Sequence, residues 1–141
     1  MILLVRHARA GERGSAGADD SRRPLDKTGR DQAEALAAML SDRPLTRIVT
    51  SPYRRCIETV EPLARAAGLE IEQRQELAEG SPLSDVLALI AGHDQQGDMV
   101  LCTHGDVIEE MVGRGRPAEK GSVWVLDPEH DLEPRRYILP D

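Results

Sequence analysis

The chain has 141 residues, a net charge of −7, 40% apolar and 30% charged residues, the make-up of an ordinary globular domain, so a single domain over 1–141 is expected. The acidic balance opposes non-specific nucleic-acid binding, and with no Phe, two Tyr and one Trp there is no platform on which single-stranded bases could stack. No stretch reads as a membrane span or a signal peptide, and Cys56 and Cys102 form neither a close ligand pair nor a disulfide framework; the expectation is a cytoplasmic protein without a membrane or nucleic-acid partner.

Ile2–Val5 is a continuous apolar run, the pattern of a strand buried on both faces of a parallel sheet. It ends in Arg6-His7, where Gly, Asn or Asp would serve better as a mere terminator. Arg9–Asp20 is small and charged, which predicts a mobile surface loop. Thr28 and Asp31 have capping-box spacing, and Ala33, Leu36, Ala37 and Leu40 then repeat at helical intervals. Arg47–Thr50 is a short β-branched run after Pro44, read as the second strand. Ser51 suits an N-cap and Pro52 a first helical position, opening a helix whose stripe is Ile57, Val60, Ala64 and Ala67. Gly68 should end that helix, and Pro62 should kink or divide it. Leu69–Glu72 is a weak strand, Leu83–Ile90 a helix, and Met99–Thr103 a buried strand stopped by His104-Gly105. A helix over Asp106–Val112 and strands over Ser122–Leu126 and Arg136–Leu139 complete the chain. Strands alternating with helices predict an α/β sandwich around a mostly parallel sheet.

In such sheets ligands bind at the carboxyl ends of the strands. Three of those ends carry Arg6-His7, Ser51-Pro52-Tyr53-Arg54-Arg55 and Thr103-His104-Gly105-Asp106. Two histidines, several arginines and two helix starts at one edge would make an anion pocket, and a dianionic phosphoryl group fits it best. His93 and His130, isolated in polar stretches, read as surface residues.

Five blocks, "VRHARA" (5–10), "RPLDKTGRDQA" (23–33), "SPYRRCIETVEPLA" (51–64), "ELAEG" (76–80) and "LCTHGDVI" (101–108), resemble the histidine phosphatase superfamily in kind and order. The likeness is to its compact branch of bacterial phosphohistidine phosphatases and to the phosphatase domain of Nudix fusions. The last thirty residues carry no recognised motif. The resemblance implies a phosphoglycerate mutase-like fold, a three-layer αβα sandwich. It implies that His7 is the nucleophile, that Arg6, Arg55 and His104 bind the phosphoryl oxygens, and that Glu79 is the proton donor. Arg55 rather than Arg54 matches, because the family arginine directly precedes the small residue occupied by Cys56. Arg23 belongs to a recurrent block and either touches substrate or ties down its loop; Gly105 borders the pocket. Ala8 stands where the superfamily usually has Gly, and a short substrate-binding segment implies a shallow, open pocket.

No metal or other cofactor is implied, since phosphoryl transfer asks mainly for positioning and charge stabilisation. The arginine charges should lower the His7 pKa and keep the imidazole neutral. The expected activity is a metal-independent phosphatase acting on protein phosphohistidine. The alternatives are a phosphatase of small phosphoesters such as nucleotides or sugar phosphates, and an inactive phosphate-binding module. A metallophosphoesterase using His7, His104 and Asp106, a Cys102–His104 thiol hydrolase and a mutase fit less well. The partner is accordingly a phosphorylated protein or a small phosphate compound.

Overall fold

The computed structural model describes residues 1–14, 17–93 and 96–140. Residues 15 and 16 of the expected surface loop lie outside them. Strands β1 (Ile2–Arg6), β2 (Leu45–Thr50), β3 (Ile71–Gln73), β4 (Asp98–Thr103), β5 (Val123–Asp127) and β6 (Glu133–Ile138) form one six-stranded sheet in the order β3-β2-β4-β1-β5-β6. The pairings among β1 to β4 are parallel; β5 runs antiparallel to β1, and β6 antiparallel to β5. The sheet is thus mostly parallel, with an antiparallel hairpin on one side.

Side chains alternate across a strand, and β1 shows why its run is unbroken. Ile2 and Leu4 enter one core, with Val86, Leu89, Val107 and Ile108. Leu3 and Val5 enter the other, with Leu36, Leu40, Val60 and Leu63. Helices α3 (Leu83–Ala91) and α4 (Gly105–Val112) therefore cover one face, and α1 (Lys27–Leu40) and α2 (Arg54–Ala67) the other. This is the three-layer αβα sandwich expected.

Four local readings need correction. Helix α1 is capped by Asp26, whose side chain accepts from the Gly29 N–H, two residues ahead of the Thr28–Asp31 box. Helix α2 begins at Arg54, so Ser51 and Pro52 precede it. It also runs through Pro62 to Ala67 without dividing, because its apolar stripe is held against the sheet on both sides of the proline. His93 is buried, its Nε2 3.2 Å from the Gly97 carbonyl oxygen. The expected loop after β1 is anchored at its start: Ala10 is buried and bridges to Leu25, and Gly11 N–H donates to the Pro24 carbonyl.

The register sets the functional edge. Arg6 lies opposite Thr103, and Thr50 opposite Cys102, so β1, β4 and β2 end level. The residues that follow, His7, His104 and Ser51, emerge side by side.

Candidate active site

The end of β1 is gripped from both neighbours. His7 N–H donates to the Thr103 carbonyl, Arg6 N–H to the Ser122 carbonyl, and Gly121 N–H is shared by the Arg6 and His7 carbonyls. The His7 ring is 6% exposed, and its Nδ1 lies 2.8 Å from the Ala8 carbonyl oxygen. A carbonyl can only accept, so Nδ1 carries the ring proton and Nε2 keeps a free lone pair. Burial lowers the His7 pKa to about 3; the Ala8 bond opposes this, while the His104, Arg55 and Arg6 charges add to it. The ring is thus neutral at ordinary pH.

The Ala8 peptide is itself fixed. Its N–H donates to Thr59 Oγ1 at 2.8 Å, and the Thr59 hydroxyl donates to the Arg55 carbonyl at 2.7 Å. Thr59 lies one turn beyond Arg55 on α2, a spacing that puts the two on one helix face. That spacing was the available signal for a residue the motif reading missed.

His104, 2% exposed, faces His7 with ring centroids 5.4 Å apart and Tyr53 at 4.7 Å. Its Nε2 is 2.9 Å from Ser51 Oγ, which also accepts from the Tyr53 N–H. Nε2 also lies 3.6 Å from Cys56 Sγ, while Nδ1 is a buried atom without a hydrogen-bond partner among the described residues. Ser51 therefore orients His104, where the sequence suggested a helix cap.

Arg55 is 1% exposed and lies 4.8 Å over the Tyr53 ring. Its Nη1 donates to the Asp20 carbonyl at 2.9 Å; its Nη2 is 3.1 Å from Asp20 Oδ2 and 3.3 Å from Glu79 Oε2. Arg54 instead turns outward to Glu58, so the residue before Cys56 is the inward arginine. Arg6 donates from Nη1 to the Ala118 carbonyl at 2.6 Å. Burial lowers its pKa, against the Tyr137 and Asp106 charges. Its guanidinium rests on Gly105, where a Cβ would come within 3.0 Å of Arg6 Cζ, so a larger residue there would displace the guanidinium. The Nε atoms of Arg6 and Arg55 are both buried without partners.

Arg23 is 7% exposed, donating from Nε to Asp20 Oδ1 at 2.9 Å and from Nη1 to the Gly11 carbonyl at 2.7 Å. Both bonds tie down the loop, although the side chain also borders the cleft. Asp20 is the hub of this cluster: burial raises its pKa, but Arg23, Arg55 and Arg13 outweigh that and hold it below the usual carboxylate range. Glu79 sits on a turn fixed from the α4 side. Gly80 N–H donates to Asp106 Oδ2 at 2.8 Å, and Thr103 Oγ1 donates to the Leu77 carbonyl at 2.7 Å.

His7, Arg6, Arg55, Arg23, His104 and Glu79 all line one cleft of about 670 Å³, with Gly105 in its wall. Cys102 lies in the α1/α2 core instead, and burial together with Cys56 pushes its thiol pKa up, which removes the thiol-hydrolase reading. Among the described residues no three His, Cys, Asp or Glu side chains are grouped to hold a metal ion, and no helix is long and apolar enough to cross a membrane.

A phosphohistidine chemistry suits this arrangement, and comparison with known proteins agrees in kind. The sequence profile of the histidine phosphatase superfamily (branch 1) matches residues 2–82, and the chain belongs to that superfamily. It is 38% identical to an 8-oxo-(d)GTP phosphatase of Mycolicibacterium smegmatis over 99% of this chain and 48% of that protein. The chain thus spans about half the length of that relative. The fold is similar to that of SixA from Agrobacterium tumefaciens, assigned as a phosphohistidine phosphatase, with a TM-score of 0.79 and 25% identity over 99% of this chain and 97% of that one. It is equally similar, at a TM-score of 0.79 and 21% identity, to the protein histidine phosphatase SixA in complex with tungstate, covering 99% and 96% of the two chains.

Proposed function

We propose that this chain is a phosphatase that works through a covalent phosphohistidine on His7. The observation that carries the proposal is the Nδ1–Ala8 hydrogen bond of 2.8 Å, which leaves Nε2 as the unprotonated nucleophile of a neutral, buried imidazole. Nε2 attacks phosphorus, the bond from phosphorus to the leaving oxygen breaks, and Glu79 as a carboxylic acid gives that oxygen its proton. Water then attacks the phosphohistidine, the P–N bond breaks, Glu79 takes up the water proton, and inorganic phosphate leaves. Arg6 Nε, Arg55 Nε and His104 Nδ1, nitrogens of the cleft that are buried without a hydrogen-bond partner among the described residues, are the groups that would meet the phosphoryl oxygens and their growing charge.

Two substrate classes fit this chemistry. The relative of 38% identity and the cation-rich cleft favour a small phosphate compound, for which a proton donor in Glu79's position matters because alkoxide leaving groups are poor. The likeness to SixA structures supports protein phosphohistidine as the second reading, since a labile imidazole leaving group makes less demand on Glu79.

The test is His7→Ala, assayed in EDTA on p-nitrophenyl phosphate. Turnover should fall by about 10³-fold or more, and the acid-labile, alkali-stable phosphoenzyme of the parent protein should be missing. Near-native activity in the variant would reject the mechanism.

A further inference from the structure

Beside the phosphoryl pocket the cleft has a second group of cations that the reaction above does not use. Lys120 belongs to the turn before β5, and that turn is fastened to the reactive strand: Gly121 N–H meets the Arg6 and His7 carbonyls, and Ser122 N–H closes on the Glu119 carbonyl. The Lys120 side chain therefore starts from a backbone held against the nucleophile. Arg9, two residues after His7, and Arg23 line the same cleft. The Arg9 backbone is equally fixed, its carbonyl receiving the Asp26 N–H and its N–H donating to Gln32 Oε1.

Within this group Arg23 pairs with Asp20 at 2.9 Å and Arg9 with Asp26 at 3.1 Å, and Lys120 stands apart from both pairs. Among the described residues Lys120 has no ion-pair or hydrogen-bond partner. Lys120 is exposed, yet desolvation against the cleft wall and the charges of Arg6, Arg23 and Arg9 all act to lower its pKa, and Asp26 alone of its named neighbours acts the other way. Asp26 is already engaged, through Oδ1 with the Gly29 N–H and through Oδ2 with Arg9 Nε at 3.1 Å. Like charges collected on one wall of a cleft repel one another, and an anion seated among them relieves that repulsion. The transferred phosphoryl has Arg6, Arg55 and His104, so the extra cations call for further negative charge on the same substrate.

We propose that Lys120, with Arg9 and Arg23 beside it, forms a second anion subsite that holds the phosphate adjacent to the one transferred to His7, making small molecules with linked phosphates the favoured substrates. This rests on the His7 reaction proposed above. In the transfer step the terminal phosphorus bonds to Nε2, the anhydride P–O bond breaks, and the leaving phosphate keeps the electron pair as an anion neutralised by Lys120. Water then releases inorganic phosphate from His7.

The experiment compares kcat/KM for GMP, GDP and GTP in EDTA, for the parent chain and for Lys120→Ala and Lys120→Arg. The parent should favour GDP and GTP over GMP. Lys120→Ala should reduce the GDP-to-GMP ratio about tenfold, the loss of one charge-assisted hydrogen bond, chiefly through KM for GDP. Lys120→Arg should keep most of the ratio, and equal thermal midpoints would show that both variants fold. A ratio that does not move in Lys120→Ala, or a parent that prefers GMP or a phosphorylated histidine phosphotransfer protein, overturns the subsite while leaving the His7 reaction standing. Failure of the parent to hydrolyse any of these overturns both.

Discussion

The Ser51 hydroxyl has one proton and two lone pairs. Tyr53 N–H takes one lone pair, and the hydroxyl is hydrogen-bonded to His104 Nε2 at 2.9 Å. Ser51 thereby acts through His104, as a positioning residue that touches no substrate. Ser51→Ala should lower kcat about tenfold and weaken vanadate inhibition by a similar factor, while reducing stability by only about 1 kcal/mol. Ser51→Thr, which restores the hydroxyl, should recover both. Steady-state kinetics with vanadate and a urea titration would check this; a stability loss with unchanged kinetics would show that Ser51 serves the fold alone. Thr59 plays the matching part for His7 by fixing the Ala8 peptide whose carbonyl selects the tautomer. In the sequence Thr59 does not stand out and Ser51 reads as a helix cap, because each acts by a hydrogen bond across about fifty positions. The residues that did stand out, Arg6, His7 and His104, do so because polar groups at the ends of apolar strands break a pattern.

At the scale of elements, the close approach of α1 to the reactive strand depends on Gly29. A Cβ there would lie 1.9 Å from the Arg9 carbonyl oxygen, far inside contact distance. Gly29→Ala must push the helix start off the segment after β1, although alanine is the better helix former. We expect a loss of at least about 2 kcal/mol from that overpacking, read as a lower midpoint in thermal or urea unfolding. An unchanged midpoint would mean that the Arg9 segment yields freely. The elements themselves were largely legible. Strands buried on both faces must be apolar throughout, and amphipathic helices must repeat near every 3.6 residues. Their ends were less so: Asp26 rather than Thr28 caps α1, and Ser51, a good cap by type, is recruited to His104. Pro62 removes one hydrogen bond, yet Val60, Leu63 and Ala64 hold α2 in the core on either side of it. His93 misled because it is buried outside any helix or strand, where no periodic pattern marks burial.

For the whole molecule, the buried His7 links stability to pH. Its pKa is about 3 in the folded chain against an ordinary 6.5, so between those values the unfolded chain takes up a proton that the folded chain refuses. Stability from this group is complete above pH 6.5 and drains away as the pH falls toward 3. Between pH 6.5 and 5 the loss should be about 1 kcal/mol per pH unit. The lowered carboxylates, Asp20, Glu72, Glu76 and Asp127, act in the same direction only at lower pH. His7→Asn should therefore flatten the thermal midpoint between pH 6.5 and 5 and leave the steeper acid loss in place. Equal slopes in parent and variant would show that His7 titrates normally.

The position of β1 carries a further consequence, one of timing. The first strand of the chain is an inner one, paired through Ile2 with Met99 on one side and Leu126 on the other. Contacts between such distant parts of a chain form late and slowly. During synthesis His7 leaves the ribosome well ahead of His104 and of the turn that grips its carbonyl. A nascent chain can hold the nucleophile through that interval and still have no active site around it; chemistry begins only when β4, His104 and the turn before β5 have followed.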